Sequence, residues 1–259
     1  MFAPRILTEH ADPFESKIIT SRVWLVDQHA VTAEHFIKLR QYMLMEIAAE
    51  TIYVSARIGK AALGAAAMEA VGKVPRHDFV PVELQPYAYA NVPLPIGFDK
   101  TISQPFIVAL MTDLLDIRSS DVVLEIGTGL GYQAAVLAEL ARKVYSVEII
   151  EELAEEAKLR LGRQGYKNIE FKLGNGYYGW PEHAPFDKIM VTAAPDLIPG
   201  SLLQQLKPGG RMAIPTGLAG SQQLLLVEKD AAGSVATREI LPVRFAQLEG
   251  AESPPLGGS

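Results

Sequence analysis

The alternation of apolar and polar positions in the second half of the chain repeats a strand followed by a helix. Short runs of apolar and β-branched residues predict seven strands: 122–126, 143–147, 169–172, 188–191, 211–214, 223–229 and 237–243. Segments with helical spacing predict the helices between or before them: 106–115, 132–141, 151–164 and 201–206. Repeated strand–helix units predict a parallel sheet with right-handed crossovers, and the last two strands predict an antiparallel edge. The fold class is therefore α/β, with a doubly wound, mostly parallel sheet of seven strands.

The first half of the chain changes from helical spacing to an irregular segment. Residues 34–72 are predicted to be helical, with a second, alanine-rich helix over 58–71. Residues 74–106 contain many prolines and aromatic residues without periodicity, which predicts a long ordered loop. Loops of this length in a compact domain are usually functional. Near the N-terminus, the apolar run 17–26 predicts a strand.

These patterns divide the chain into three parts. Residues 1–33 are predicted to be an accessory arm, a candidate oligomerisation element, and residues 249–259 a flexible tail. Residues 34–248 are predicted to form one domain, in which a helical and loop cover, 34–105, accompanies an α/β core, 106–248.

Composition and charge narrow the classes of function. The chain has 259 residues, of which 49% are hydrophobic and 21% charged, as in ordinary globular proteins. Its net charge of −6 does not suggest a nucleic-acid partner. The lack of cysteine excludes disulfides and thiol nucleophiles, and we predict no metal site. The N-terminus has no long apolar run, so we predict no membrane span and a cytoplasmic location.

The most informative stretch is the strand 122–126 and the glycines that follow it. Gly127, Gly129 and Gly131 let the backbone adopt positive φ and let a ligand approach its N–H groups. Such a turn, opening a helix at the edge of a parallel sheet, is typical of nucleotide-binding sites. The dinucleotide pattern G-x-G-x-x-G is not matched, because Tyr132 stands where its last glycine would be. This favours a nucleoside without a pyrophosphate, with S-adenosylmethionine as the leading candidate and a plain tight turn as the alternative.

Glu148 is the candidate partner for the ribose of such a ligand. It ends the strand after the glycine turn, 148 − 127 = 21 residues beyond the first glycine. A carboxylate at this position can accept hydrogen bonds from both ribose hydroxyls. The alternative is that its negative charge only stabilises the start of the following helix through the helix dipole.

Two residues of the irregular segment also have alternative interpretations. Ser103 can cap the helix predicted over 106–115, or it can point its hydroxyl into the site. His77 lies between Arg76 and Asp78, and we interpret it as a structural or surface residue rather than a catalytic one.

The motifs together resemble those of class I S-adenosylmethionine-dependent methyltransferases, in the order VLEIGTGLGYQ, VYSVE, GNGYYGW, APFDKIMVTAAP and LKPGGRMAIPTG. The segments VPRHDFVP and NVPLPIGFDKTISQP narrow the resemblance to the protein-L-isoaspartate (D-aspartate) O-methyltransferase family. The resemblance covers residues 58–245. It implies a Rossmann-like methyltransferase fold with S-adenosyl-L-methionine as cofactor and S-adenosyl-L-homocysteine as product. It also implies an activity, methylation of isoaspartyl and D-aspartyl carboxyl groups in damaged proteins, which initiates repair.

The resemblance implies roles for particular residues. Ser103 matches the active-site serine of the family. The matches to cofactor-binding positions are Thr101, Ile102, Ser103, Glu125, Gly127, Thr128, Gly129, Gly131, Glu148, Asn175 and Gly176. Ala193 and Ala194 match positions near the transferred methyl group and the substrate.

Three segments depart from the family pattern. Asn175 replaces the usual aspartate, so that an acceptor oxygen is kept and a charge is lost. Phe98 to Thr101 replace a glycine-containing turn, and residues 243–248 differ from the usual V-R-F-V-P-L. Two alternatives therefore stay open: a methyltransferase of the same fold that acts on another carboxylate or hydroxyl, and a non-catalytic module that binds S-adenosylmethionine.

The chemistry needs little from the protein beyond alignment. An aspartyl-type carboxyl has a pKa near 4 and is already ionised at neutral pH, so no strong general base is required. Catalysis then comes from alignment and from exclusion of water. In this mechanism Ser103 orients the acceptor by a hydrogen bond and is not a nucleophile.

Overall fold

The computed structural model describes residues 32–250. The strand predicted over 17–26, most of the arm and nearly all of the tail lie outside the described residues. The domain divisions at residues 33 and 249 therefore stay predictions. Within residues 32–250, no helix is long and apolar enough to cross a membrane.

The N-terminal part consists of three helices: α1 (Ala33–Tyr53), α2 (Ser55–Ile58) and α3 (Ala65–Lys73). Helix α1 buries Met43, Ile47 and Thr51 against the domain. The single helix predicted over 58–71 is wrong, because Gly59 ends α2 in the left-handed conformation, with φ of +73°. A residue without a side chain adopts this conformation at little cost, and helices commonly end this way.

The segment predicted as a long loop contains regular structure. Two short 3₁₀ helices, Arg76–Phe79 and Val82–Tyr87, are followed by a hairpin of strands β1 (Leu94–Gly97) and β2 (Lys100–Ile102). The hairpin turn places Phe98 and Asp99 at positive φ, 53° and 55°. Non-glycine residues rarely adopt this region, which is why the sequence pattern gave no sign of a hairpin.

The remaining chain alternates strands and helices: α4 (Pro105–Leu115), β3 (Val122–Ile126), α5 (Tyr132–Ala138), β4 (Lys143–Glu148), α6 (Glu151–Arg163), β5 (Ile169–Leu173), β6 (Phe186–Val191), α7 (Gly200–Gln205), β7 (Leu206–Thr216), β8 (Gln222–Lys229) and β9 (Val235–Val243). The sheet has the order β5-β4-β3-β6-β7-β8-β9. The five strands β5, β4, β3, β6 and β7 pair in parallel, and β8 and β9 form the antiparallel edge. The predicted seven-stranded, mostly parallel sheet is confirmed.

Strand β3 lies at the point where the chain reverses its direction across the sheet. The chain runs from β3 outward to β4 and β5, and then returns to β6 on the other side of β3. Ligands of doubly wound folds bind beyond the carboxyl ends of the strands at this kind of switch point. The glycine turn follows β3 directly.

Both faces of the sheet are covered. One apolar cluster contains Val123 and Val144 with residues of the helices α1, α3, α4 and α5. The other contains Leu124 and Ile126 with Leu202 of α7. Alternate residues of β3 therefore point into two separate cores, as the near-continuous apolar run of this strand requires.

Candidate active site

The glycine turn after β3 has the conformation that its sequence predicts. Gly127, Gly129 and Gly131 have φ of +93°, +55° and +93°. A Cβ atom at Gly127 would lie 2.5 Å from Thr192 Oγ1, and one at Gly131 would lie 2.7 Å from Leu161 Cδ1. Glycine is needed at both positions for two reasons, the backbone conformation and the close packing around it.

Thr192, which follows β6, fixes the first residue of this turn. Its Oγ1 lies 2.7 Å from the carbonyl oxygen of Gly127 and 3.0 Å from that of Ile126, so one hydroxyl donates across the switch point. Its backbone N–H also donates to the Ile126 carbonyl, at 2.9 Å. The end of a neighbouring strand therefore fixes the conformation of the glycine turn.

Glu148 lies beside the glycine turn, as its spacing predicts. Its Oε2 accepts the N–H of Gly129 at 2.8 Å, and its Oε1 accepts the N–H groups of Ile149 and Ile150 at 2.9 and 3.0 Å. The carboxylate therefore contacts the glycine turn and also the entry to α6. Both interpretations of this residue, as a site residue and as a helix-terminus residue, are compatible with these contacts.

Glu125 lies beneath the same turn and is completely buried. It pairs in register with Ser146 of β4, whose hydroxyl donates to Glu125 Oε2 and lies 2.5 Å from Thr128 Oγ1. The Glu125 pKa is raised to about 8, mainly by burial; the hydrogen bond from Ser146 opposes this rise, and the charge of Glu148 contributes to it. At neutral pH this carboxyl is mostly neutral. Its Oε1 has no hydrogen-bond partner among the described residues.

The turn after β5 lies against the same strand end. Asn175 Oδ1 accepts the N–H of Tyr177 at 2.9 Å, so the amide serves the local turn as an aspartate would. A Cβ atom at Gly176 would lie 2.4 Å from Ile126 Cγ2, which shows how closely this turn approaches β3. The Gly174 N–H donates to the Glu148 carbonyl oxygen at 2.8 Å. The predicted ribose and adenine positions are therefore adjacent.

The hairpin β1–β2 contacts the glycine turn from another side. Ile96 Cδ1 would lie 3.3 Å from a Cβ atom at Gly129. Of the predicted residues on β2, Ile102 is buried and Thr101 is exposed, and Ser103 follows them half-buried.

Ser103 does not cap the helix that follows it, so this part of its prediction is wrong. The N-cap of α4 is Gln104, which makes no side-chain capping bond. Instead, Asn91 Oδ1 accepts the Phe106 N–H at 2.9 Å and satisfies a donor of the first turn from across the hairpin. The Ser103 hydroxyl is left for another role.

Arg76 connects the first 3₁₀ helix to Ser103. Its Nη2 donates to the Ser103 carbonyl oxygen at 2.7 Å, and its Nε donates to that of Ala88 at 2.8 Å. The guanidinium is fully buried, lies 4.9 Å from the Tyr132 ring centroid and has a pKa lowered by burial to about 10. It therefore stays charged at neutral pH.

The segment after β9 runs along the carboxyl edge of the sheet. Ala194 is fully buried; its N–H donates to the Ala246 carbonyl at 2.8 Å and its carbonyl accepts the Leu248 N–H at 2.9 Å. Ala193, beside it, is half-buried. Further along, Glu249 forms an ion pair with Lys100 of the hairpin. Lys100, which lies in a segment that departs from the family pattern, thus connects the hairpin to the C-terminal segment.

Sequence reasoning missed three residues of this arrangement. Ser146 could have been found as a polar residue within an otherwise apolar strand, VYSVE. Thr192 and Arg76 carry no local signal, because their partners are distant in the sequence. His77 stacks on Phe36 and contacts the Tyr89 hydroxyl at 2.8 Å, which fits a structural residue.

The residues present fit a nucleoside cofactor with a charged amino acid portion. The carboxylate of Glu148 lies against the glycine turn, and Glu125 Oε1, which has no hydrogen-bond partner among the described residues, lies on the strand that leads into the turn. Among the residues that the structure describes, no group of three or more acidic or histidine side chains is arranged to hold a metal ion. The sheet order, the glycine turn at its switch point and the motif series that resembles class I S-adenosylmethionine-dependent methyltransferases together assign the chain to that class.

Comparison with known proteins identifies the family within this class. The model of the family "Protein-L-isoaspartate(D-aspartate) O-methyltransferase (PCMT)" matches residues 45–253. A Polaromonas protein-L-isoaspartate O-methyltransferase 1 is 65% identical over 222 residues, which cover 86% of this chain and 94% of the relative. A Syntrophobacter fumaroxidans protein-L-isoaspartate O-methyltransferase 2 is 58% identical over 212 residues, covering 82% and 86%. The chain belongs to the protein-L-isoaspartate(D-aspartate) O-methyltransferase family.

Solved structures agree with this assignment. A protein-L-isoaspartate O-methyltransferase superposes with a TM-score of 0.69 at 30% identity, over 82% of this chain and 66% of that chain. A Plasmodium falciparum structure, described as this enzyme in complex with S-adenosyl-L-homocysteine, has a TM-score of 0.66 at 20% identity, over 81% and 98%. The second similarity supports the fold alone.

Proposed function

We propose that this protein transfers a methyl group from S-adenosyl-L-methionine to the carboxylate of L-isoaspartyl and D-aspartyl residues in damaged proteins, which initiates their repair. The observation that carries the proposal is the contact between the hairpin that ends at Ser103 and the glycine turn at Gly129. A loop that carries a hydroxyl beside a nucleoside site would serve methyl transfer by orienting the acceptor. A cytoplasmic location and an oligomer formed through residues 1–33 stay predictions.

The cofactor would be held by four segments of the chain. The glycine turn, Gly127 to Gly131, would hold its amino acid portion, and the carboxylate of Glu148 would bind its ribose. Asn175 and Gly176 would contact its adenine, and Thr101 and Ile102 would line it from the hairpin.

The acceptor chemistry follows from charge. When bound, S-adenosyl-L-methionine supplies a methyl group on a positively charged sulfur, which an ionised carboxylate accepts without a general base. The protein therefore contributes alignment and exclusion of water. Ser103 would orient the acceptor carboxylate, and Ala193, which is half-buried beside the switch point, would contact the substrate.

The test is methyl transfer from labelled S-adenosylmethionine to two peptides of one sequence, one with L-isoaspartate and the other with L-aspartate. We expect a base-labile methyl ester on the isoaspartyl peptide alone. Transfer to small carboxylates or hydroxyls but not to this peptide would favour another acceptor. Cofactor binding without any transfer would indicate a non-catalytic module. Either of these results would overturn the proposal.

A further inference from the structure

A single carboxylate oxygen connects the two ends of the segment that carries Ser103. Glu50 lies near the end of α1, and its Oε2 accepts the Asn91 Nδ2–H at 2.7 Å and the Gln104 Nε2–H at 3.0 Å. Asn91 precedes the hairpin, and Gln104 follows Ser103 directly. Residues 92–103 are therefore a loop whose base is closed by Glu50.

The same network reaches helix α4. Asn91, held by Glu50 through its amide nitrogen, uses its amide oxygen to accept the Phe106 N–H at 2.9 Å. Glu50 thus fixes the hairpin base and the first turn of the helix behind it. Asn91 and Gln104 supply the two side-chain donors that converge on Glu50, and each of them flanks the hairpin.

The hairpin needs support from outside. Strands β1 and β2 have four and three residues, and an isolated two-stranded hairpin is marginally stable at best. Its turn residues, Phe98 and Asp99, also have the unfavourable positive φ described above. Arg76 bonds the Ser103 carbonyl, whereas Glu50 bonds the side chains that flank the hairpin. Removal of the Glu50 carboxylate leaves this base without its acceptor.

We propose that Glu50 is a positioning residue for methyl transfer: it holds the hairpin and Ser103 in place beside the glycine turn. The inference rests on the proposed function, because the effect of the fixed hairpin is measured as the rate of methyl transfer to the isoaspartyl peptide. Glu50 touches neither the glycine turn nor Ser103 itself, and it acts through Asn91 and Gln104.

The kinetic test compares Glu50→Ala with Glu50→Gln and with Glu46→Ala, an exposed acidic residue one turn earlier on α1. We expect Glu50→Ala to lower kcat with the isoaspartyl peptide about tenfold or more, because small misplacements of reacting groups are costly. The Kd of S-adenosylmethionine should change less than about threefold, since most of the cofactor contacts that we propose lie outside the hairpin, on the glycine turn, Glu148 and Asn175. Glu50→Gln should recover most of kcat, because its amide oxygen can accept both donors. Glu46→Ala should match the parent.

A double-mutant cycle tests whether Glu50 acts through Gln104. If it does, Glu50→Ala combined with Gln104→Ala should be no slower than Glu50→Ala alone. Full additivity of the two losses in kcat, or a Glu50→Gln variant as slow as Glu50→Ala, would overturn the positioning role.

Hydrogen exchange separates this inference from the proposed function. Glu50→Ala should increase amide exchange in the hairpin, residues 94–102, relative to the parent and to Glu46→Ala. If the parent does not methylate isoaspartyl peptides, the proposed function fails, and faster hairpin exchange in Glu50→Ala still supports the contact role of Glu50. Unchanged hairpin exchange in Glu50→Ala would overturn the inference, whatever acceptor the protein uses.

Discussion

Arg76 and Ser103 lie 27 positions apart in the sequence and are joined by a hydrogen bond of 2.7 Å between Arg76 Nη2 and the Ser103 carbonyl oxygen. The donor belongs to a fully buried, positively charged side chain. It fixes the backbone of Ser103, the residue that we propose orients the acceptor carboxylate. This bond is made to the backbone of Ser103 and not to its hydroxyl, which remains available to the acceptor.

Replacement of Arg76 by lysine should leave a folded protein with lower turnover. The ammonium keeps the charge, but it cannot bond two separated carbonyls as the guanidinium fork does. We expect kcat to fall about tenfold to a hundredfold because the Ser103 backbone loses its fixed position. Arg57→Lys, at an exposed position, is the control and should keep the parental kcat. A parental kcat in Arg76→Lys would contradict the role.

Replacement of Ser103 by alanine should lower kcat and leave cofactor binding largely intact. The lost group is one hydrogen bond to the acceptor, whereas the cofactor contacts that we propose lie mainly on the glycine turn and Glu148. Kinetics with isoaspartyl peptide and calorimetric titration of S-adenosylmethionine check the two expectations. Ser119→Ala, at an exposed position, serves as the control. Equal kcat in Ser103→Ala and the parent would exclude the orienting role.

Gly127→Ala should abolish cofactor binding and destabilise the protein. The new methyl group would lie 2.5 Å from Thr192 Oγ1, and the backbone would keep an unfavourable φ of +93°, at a cost of about 1–3 kcal/mol. Gly162→Ala is the matched control, because it lies in α6 with open space around it. There we expect a gain of roughly 0.5–1 kcal/mol. Thermal unfolding and cofactor titration measure both variants; similar behaviour would refute the packing argument.

Glu125→Gln should change how stability depends on pH. The folded-state pKa of Glu125 is raised from its ordinary value of 4.5 to about 8, so the folded protein binds this proton more tightly than the unfolded chain does. The contribution of Glu125 to stability is therefore fully present below about pH 4.5, falls as pH rises toward 8, and is constant above. Glutamine stays neutral throughout and avoids this loss.

The Tm of Glu125→Gln, relative to the parent, should therefore rise between about pH 5 and about pH 8. Subtracting the parent removes the contributions of the other titrating groups. Glu151→Gln, exposed in the first turn of α6, should show no comparable trend. Parallel curves of Tm against pH for Glu125→Gln and the parent would show that Glu125 is ionised in the folded protein.

Asn175→Asp should strengthen cofactor binding several-fold. An aspartate keeps the acceptor for the Tyr177 N–H and adds a charge, which strengthens a hydrogen bond from an adenine amino group. Asn175→Ala should weaken binding, since it loses both the turn contact and the acceptor. Calorimetric titration of S-adenosylhomocysteine measures the series. Identical affinities in all three proteins would remove this turn from the cofactor site.

Local patterns in the sequence predict the sheet and the residues at the centre of the site. Each predicted strand of the sheet is present. The central parallel strands β3, β4 and β6 are largely buried, and strands of this kind need nearly continuous apolar runs, which are easily recognised in a sequence. The glycine turn and Glu148 were also predictable, because both lie at ends of adjacent strands and a fixed chain length connects them. These features depend on local patterns and on one short crossover.

The hydrogen bonds that support the site become visible only in the tertiary structure. Arg76, Glu50 and Thr192 act on partners that lie 27, 54 and 65 residues away, and a side chain's distant partner leaves no periodic trace in the sequence. The hairpin at residues 94–102 was missed because its turn uses Phe98 and Asp99, which locally disfavour the backbone they adopt. Ser103 as a helix cap was wrong because Asn91, brought in by the fold, satisfies the helix instead. Local pattern set the elements, and hydrogen bonds between distant residues set the geometry of the site.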